Sequence, residues 1–495
     1  AGPDNPAAYA NPVPMPTYAS VPPAKGEPSK LKPESERQAP PAPTAAPVVA
    51  KAQLVEAKLA NGIPLVSAKT GDVPIATITV VLPGGSATDP ADKAGLSSLA
   101  AGIAEKGTPT RTATQIAAAL ESLGASLSAS PGVDGSFVSL TAPVANLDAA
   151  GEILSDVIRN ASYPQDELDR ERKRSIDGLQ VALKDPGSLG GMVAGRVFYG
   201  GSPYGSVATV NTLPRITRED LVSWRTNWWH PSTAKIIVSG GIEPAAAKAV
   251  TEKLFGSWTS QVPARPLPAN PAGDALAPTT VVIDMPEAGQ ASVIAGVRAP
   301  ARSSDDYYPL VLANAVLGAG SNGRLFDEVR TKRGLSYGAY SSFASRADDS
   351  ILTASAQTKN ETADEVSQII LDEMGKLASV PAGDDAIEKR RLFLGGSYTR
   401  ALESSSGFNS IVAGLVLQGI KPGEAARFAE RLSAVSPADA ATVAGRLTDP
   451  AKASLVIVGN ASAFLDDLKK IRPNVTVIKA TDLDLDSASL VKAGG

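Results

Sequence analysis

Leu213-Pro214-Arg215-Ile216-Thr217-Arg218-Glu219-Asp220-Leu221, closed by Pro231-Ser232-Thr233-Ala234-Lys235-Ile236-Ile237-Val238-Ser239-Gly240, decides how this chain is read. It recurs 219 positions later as Leu432-Ser433-Ala434-Val435-Ser436-Pro437-Ala438-Asp439-Ala440 and Pro450-Ala451-Lys452-Ala453-Ser454-Leu455-Val456-Ile457-Val458-Gly459. Each copy starts on a hydroxyl residue that can cap a helix, with an acid three positions on. Each then turns at a proline and ends in an apolar strand closed by glycine.

Working outward, Phe137 to Thr141, Asn146 and a helix from Ala149 to Arg159 resemble Ile351 to Ser355, Asn360 and a helix from Ala363 to Leu377. The offset there is about 214, so short insertions separate the copies. A repeat this long predicts two homologous domains from an internal duplication rather than a solenoid. They are expected at 51–265 and 276–485, with a Pro-rich linker at 266–275 and a tail at 486–495. Strand signals (Ile75 to Leu82) mix with amphipathic helix signals (Thr114 to Leu123), and strands follow one another directly at Ala125 to Ser130 and Ser136 to Ala142. The fold class is therefore α+β, each domain a largely antiparallel sheet packed with helices.

Residues 1 to about 50 hold 13 of the 39 prolines. Such a segment buries little and is expected to be extended or disordered, as a flexible leader or as an arm that wraps a partner. The chain starts at Ala1 without an apolar export segment, which a processed export signal would leave. A periplasmic location is the expectation, with a cytoplasmic one as the alternative.

The formal net charge of -4 gives no electrostatic grip on nucleic acid. No apolar run reaches the roughly 18 to 20 residues of a membrane helix. Cysteine is absent and there is one histidine, His230, so no site in a single copy can use two imidazoles or a thiolate. Asn227-Trp228-Trp229-His230-Pro231 reads as a helix end running into a turn, which makes His230 structural. A peptidase built on His230 would be active as a single chain.

Gly95-Leu96-Ser97-Ser98-Leu99-Ala100-Ala101-Gly102-Ile103-Ala104-Glu105-Lys106-Gly107-Thr108 resembles the active-site helix of the pitrilysin, insulin-degrading and mitochondrial processing peptidase family of zinc peptidases. The family pattern carries two His at i and i+4 for zinc and a Glu as base. Here Ser98 and Gly102 stand at the His positions and Ala101 at the Glu position. The third ligand position of the family, a Glu on a later helix, falls on Gly178 in Glu171 to Leu179, and Asp177 would point about 100° away. The chain is thus expected to hold no metal and to be inactive alone.

Ser202-Pro203-Tyr204-Gly205 resembles the family's His-Pro-Tyr-Gly, and Gly318 to Tyr337 resembles its second-domain signature. By that resemblance Arg330 and Tyr337 reach an active site. Leu325, Phe326 and Val329 predict a helix with Arg330 in its last turns, Gly334 a left-handed cap, and Leu335, Tyr337 and Ala339 one face of a strand. Arg330 would offer a fork of donors to a substrate carbonyl, and Tyr337 a hydroxyl to the oxyanion formed on attack at a peptide bond.

Gly318-Ala319-Gly320-Ser321-Asn322-Gly323 fits the dinucleotide fingerprint, but Tyr308 to Leu317 before it reads as a helix rather than a strand. The resemblance implies a substrate-handling loop with Gly318, Gly320 and Gly323 as binding residues, and a plain helix-to-helix turn is the alternative. Taken together, the resemblance implies a non-catalytic subunit forming half of a clam-shell. Its partner would be a homologous catalytic subunit holding the zinc, its substrate an extended peptide bound partly by strand addition. The rival is a purely structural or peptide-binding subunit.

Overall fold

A computed structural model describes residues 32–38 and 54–492. The chain divides into a short unit, Ala1–Thr44, and a large one, Ala45–Gly495. The short unit is described only over one 3-10 turn, Glu34–Glu36, beside which Arg37 donates to the Lys32 carbonyl at 2.7 Å. The rest of the expected leader, and residues 493–495 of the tail, lie outside the described residues.

The large unit is α+β and holds two six-stranded mixed sheets. The first comprises β1 (Val55–Lys58), β2 (Pro64–Lys69), β3 (Ile75–Pro83), β4 (Ser126–Pro131), β5 (Gly135–Pro143) and β6 (Lys235–Gly240), in the order β1-β2-β6-β3-β5-β4. The second comprises β7 (Thr280–Asp284), β8 (Ala291–Pro300), β9 (Ala339–Ser345), β10 (Asp349–Thr358), β11 (Ser454–Gly459) and β12 (Thr476–Lys479), in the order β12-β7-β11-β8-β10-β9. Five strands of each sheet share order and direction: β2 runs parallel to β6 as β7 does to β11, and the pairings beyond them are antiparallel. The sheets differ at one edge, where β1 is antiparallel to β2 and β12 parallel to β7.

Local chemistry explains the recurring elements. The helices Arg218–Trp228 and Pro437–Leu447 each start on a capping box, Thr217 with Asp220 and Ser436 with Asp439, which satisfies two otherwise orphaned backbone donors. The apolar runs that follow become β6 and β11, the central strands buried on both faces.

Two helices cross between the halves. Pro186–Tyr199, from the first half, lies on β8 and β11, where Leu189, Val193 and Phe198 join Val456 and Val458. Ser405–Leu417, from the second half, lies on β3 and β6, where Phe408 and Val412 join Val81 and Ile237. Each sheet therefore gets part of its apolar cover from the opposite half, and the two halves are a single packed body. Gly296 permits one of these contacts, since a Cβ there would stand 2.5 Å from the Phe198 ring.

Candidate functional site

The helix Leu96–Gly102 buries Leu96, Leu99, Ala100 and Ala101 in the first core. Its amino end is closed by Asp89, whose carboxylate accepts from Gly95 N at 3.0 Å, Ser97 N at 2.9 Å and Ser97 Oγ at 3.1 Å. Burial pushes the Asp89 carboxyl up to about 7 against those hydrogen bonds. Ser98 and Gly102, one turn apart, face outward. Gly178 is exposed on the helix Gln165–Ala182, which packs against the first helix. A Cβ at Gly102 or Gly178 would meet nothing within 4 Å.

The three positions that the resemblance assigns to zinc ligands thus carry Ser98, Gly102 and Gly178, all exposed. One serine hydroxyl and two glycines do not fit zinc, which takes imidazole, thiolate or carboxylate. Asp177 turns away into an ion pair with Lys173 at 2.6 Å. Among the described residues no group of three His, Cys, Asp or Glu side chains stands in a metal-holding arrangement.

Arg330 and Tyr337 do come together. The Arg330 guanidinium carbon lies 4.6 Å from the centre of the Tyr337 ring. Tyr337 is 88% exposed, and neither polar group has a hydrogen-bond or ion-pair partner among the described residues. Leu325 and Val329 anchor the element beneath, both fully buried. Gly334 takes the left-handed conformation (φ +63°) and its N–H donates to the Arg330 carbonyl at 3.0 Å.

Two details differ from the sequence reading. The helix is α only over Arg324–Phe326 and continues as a π-turn over Asp327–Lys332, a wide coil often found at functional sites. Tyr337 is not on a strand, because β9 starts at Ala339. Ser336 instead bends the chain, its hydroxyl 2.9 Å from the Gly338 carbonyl, and the Tyr340 ring covers Gly338 so closely that a Cβ there would lie 2.6 Å from it.

The Gly318–Gly323 loop joins the helix Tyr307–Leu317 to Arg324–Phe326, so no strand precedes it. A Cβ at Gly318 would lie 2.6 Å from Ser341 N, and one at Gly323 2.5 Å from the Gly318 Cα. These two glycines close the base of the loop. Gly320, at φ +95°, forms its exposed turn beside Phe393.

His230 is 5% exposed, and both ring nitrogens are used. Nε2 donates to the Val262 carbonyl at 2.7 Å, so Nδ1 accepts from Ser232 Oγ at 2.8 Å. No nitrogen is left to act as a base, and the single histidine is structural.

Tyr204 of the Ser202–Gly205 motif has a part that the sequence did not disclose. Its hydroxyl donates to Asp134 in the first half and accepts from Asp348 N in the second. The Arg346 guanidinium lies over both Tyr199 and Tyr204, at 4.4 and 4.6 Å. Asp349 accepts from Arg298 at 2.9 Å and from Tyr199. The signal for this role, an aromatic residue facing distant charges, exists only in three dimensions.

Residues 65–186, which include Ser98, Ala101, Gly102 and Gly178, match the model of the insulinase family, peptidase family M16. Residues 215–391, which include the glycine loop, Arg330 and Tyr337, match the peptidase M16 inactive domain. The chain belongs to peptidase family M16. Among M16 relatives, an uncharacterized zinc protease of Mycobacterium leprae is 28% identical over 333 residues, 67% of this chain and 74% of that protein. The crystal structure of a peptidase M16 inactive domain from Pseudomonas fluorescens superposes with a TM-score of 0.76 at 20% identity, covering 82% of this M16 chain and 97% of that one. The periplasmic protease PqqL from Escherichia coli gives 0.72 at 15% identity, covering 89% of this chain and 49% of that one. At such identities the structural likeness speaks for the fold.

Proposed function

We propose that this chain is the non-catalytic subunit of a two-chain M16 peptidase, offering Arg330 and Tyr337 to a peptide bond held at the zinc site of a homologous catalytic subunit. The observation that carries the reading is a contrast within one molecule. Among the described residues Arg330 and Tyr337 stand exposed with only each other as partners, while the positions that the resemblance assigns to zinc ligands carry Ser98, Gly102 and Gly178. A charged fork and a phenol held on anchored backbone but left unpaired suit a ligand from outside the chain. Arg330 would hold a substrate carbonyl, and the Tyr337 hydroxyl would donate to the oxyanion as it forms.

The substrate is an extended peptide. Open sheet edges usually carry charges that deter strand addition, as β1 does with Glu56 and Lys58 and β12 with Lys479. The edges β4 and β9 carry none. β9 starts two residues after Tyr337, so a strand added there would pass the Arg330–Tyr337 pair. Gly320, at the tip of its loop beside Phe393, would meet the same peptide, with Gly318 and Gly323 fixing the base. The setting that goes with this reading is periplasmic, and no described helix is long and apolar enough to cross a membrane.

The test is peptidase activity of this chain alone, of a homologous partner bearing His-x-x-Glu-His alone, and of the mixture. The mixture should exceed the partner alone, and Arg330→Ala or Tyr337→Phe should each lower kcat/KM on the order of 100-fold. A mixture no more active than the partner alone overturns the reading.

A further inference from the structure

A cavity of about 370 Å³ lies where the two halves and the linker meet. Val81, Pro83 and Leu417 give it an apolar side, and Leu267, Pro268, Ala269 and Pro271 of the linker line it as well. Three charged side chains line it: Lys235 from β6, Asp134 from the turn before β5, and Asp348 from the turn before β10.

The placement of these charges follows from strand register. Lys235 stands opposite Val81 on one side of β3, and Phe137 stands opposite Val81 on the other. Asp134 lies three residues before Phe137. With strands about 4.8 Å apart and a rise of about 3.3 Å per residue, the Cα atoms of Lys235 and Asp134 are about 14 Å apart. The ammonium therefore enters from one end of the cavity and a carboxylate from the other.

Neither end is saturated. The Lys235 ammonium has one acceptor, the Val416 carbonyl at 3.4 Å, and is in no ion pair among the described residues. Burial of this amine lowers its pKa, as it would for a cation short of partners. Asp134 accepts from Tyr204 and from Ala347 N, and Asp348 Oδ2 from Ala272 N at 3.2 Å. A carboxylate has about four acceptor sites, so both retain capacity. A simple anion would meet two carboxylates here and a simple cation would meet the lysine. A molecule with a negative end, a positive end and an apolar body satisfies all three walls, and the volume is that of a small-ligand site.

We propose that this cavity is a binding site for a short zwitterionic peptide of two or three residues with apolar side chains, its carboxylate on Lys235 and its ammonium facing Asp348 and Asp134. Such molecules are end products of peptide hydrolysis. The site lies at the junction of the halves, where occupancy would tie the linker to both. It does not depend on a catalytic partner, so its test is separate from that of the proposed activity.

Isothermal titration calorimetry of the full chain with dileucine, N-acetyl-dileucine and dileucine amide decides it. Dileucine should bind one to one, and blocking either end should weaken binding at least about tenfold, the loss expected for one charge-assisted contact. Lys235→Met should abolish the preference over the amide, Asp348→Asn should narrow the preference over the acetylated peptide, and Lys235→Arg should keep both. Circular dichroism confirms that each variant is folded, and Lys235→Arg serves as the informative variant if Lys235→Met is not. Absence of saturable dileucine binding, or equal binding of all three compounds, overturns the proposal.

Discussion

Asn409 tests whether the exchanged helices make the two halves one cooperative body. It lies on Ser405–Leu417, is 1% exposed and reaches into the first sheet. Its two amide hydrogens are shared among the Thr77 carbonyl and Thr79 Oγ1 at 3.0 Å each and the Ile237 carbonyl at 3.3 Å. Its oxygen accepts from Ser239 Oγ at 2.7 Å. Asn409→Ala removes all four bonds but strands no hydroxyl, because Ser239 keeps the Ser405 carbonyl and Thr79 keeps Ser139. At about 1 kcal/mol for each well-formed bond, with a small cavity added, the loss should be about 3 kcal/mol. All four tryptophans, Trp224, Trp228, Trp229 and Trp258, are in the first half and buried. Urea unfolding followed by tryptophan fluorescence therefore reports the half that does not contain Asn409, and far-UV circular dichroism reports both. Both midpoints should fall together. An unchanged fluorescence midpoint beside a shifted dichroism signal would show the halves unfolding separately and would refute the argument.

Other outcomes follow from single sites. Gly334→Ala puts a Cβ in open space at φ +63°, so it should cost about 1 kcal/mol by backbone strain alone; mixed-chain activity should fall more than stability, because the Arg330–Tyr337 pair is displaced. His230→Ala leaves the Ser232 hydroxyl without its partner, while the Val262 carbonyl keeps Ser260 Oγ, and should destabilise by about 1 to 2 kcal/mol with mixed-chain activity kept; lost activity at full stability would falsify its structural assignment. Asp89, raised to about 7, holds a proton in the native state that the unfolded chain has released above about 4. Between about pH 4 and 7 the folded protein binds more protons, so stability should fall as pH rises through that window, by no more than about 4 kcal/mol from this group. Asp89→Asn should flatten that slope in urea midpoints between pH 5 and 7.5, and an unaltered slope would mean that the carboxyl titrates lower. Burial raises Asp349 as well, so some slope of the same sign should persist in the variant.

The parts of this fold that could be read from sequence are those with local causes. Thr217 with Asp220 and Ser436 with Asp439 announce helix starts because a capping box is complete within four residues. The strands after them show as apolar runs because both faces are buried. What stayed hidden depends on pairs far apart in the chain. The apolar character of Pro186–Tyr199 shows that it is covered, but not that β8 and β11 of the other half cover it. Tyr337 reads as a strand residue because Leu335, Tyr337 and Ala339 stand two residues apart, as they would on one face of a strand. The bend comes from the Ser336 hydroxyl and the Tyr340 ring, which override a two-residue period.

The exchange of helices also bears on how the site is used. Arg330 and Tyr337 sit above Leu325 and Val329 of the second core, while Ser98, Gly102 and Gly178 sit on the first. Were the halves independent, the two faces could turn freely, and a partner would have to pay the entropy of fixing them. The buried Asn409 network and the Tyr204–Asp134–Asp348 junction fix that relation within the chain itself. The Arg330–Tyr337 pair shows the opposite design, a stacked contact in full solvent that holds by only about 0.5 to 1 kcal/mol. On the proposed function, a rigid frame carrying a weakly self-paired donor set would commit its stability to orientation and leave the donors free to exchange one another for a peptide. Strengthening the self-contact should therefore impair function. A Tyr337→Trp variant, with a better face for Arg330 and no phenol, should be as stable as the native chain and as poor in the mixed-chain assay as Tyr337→Phe.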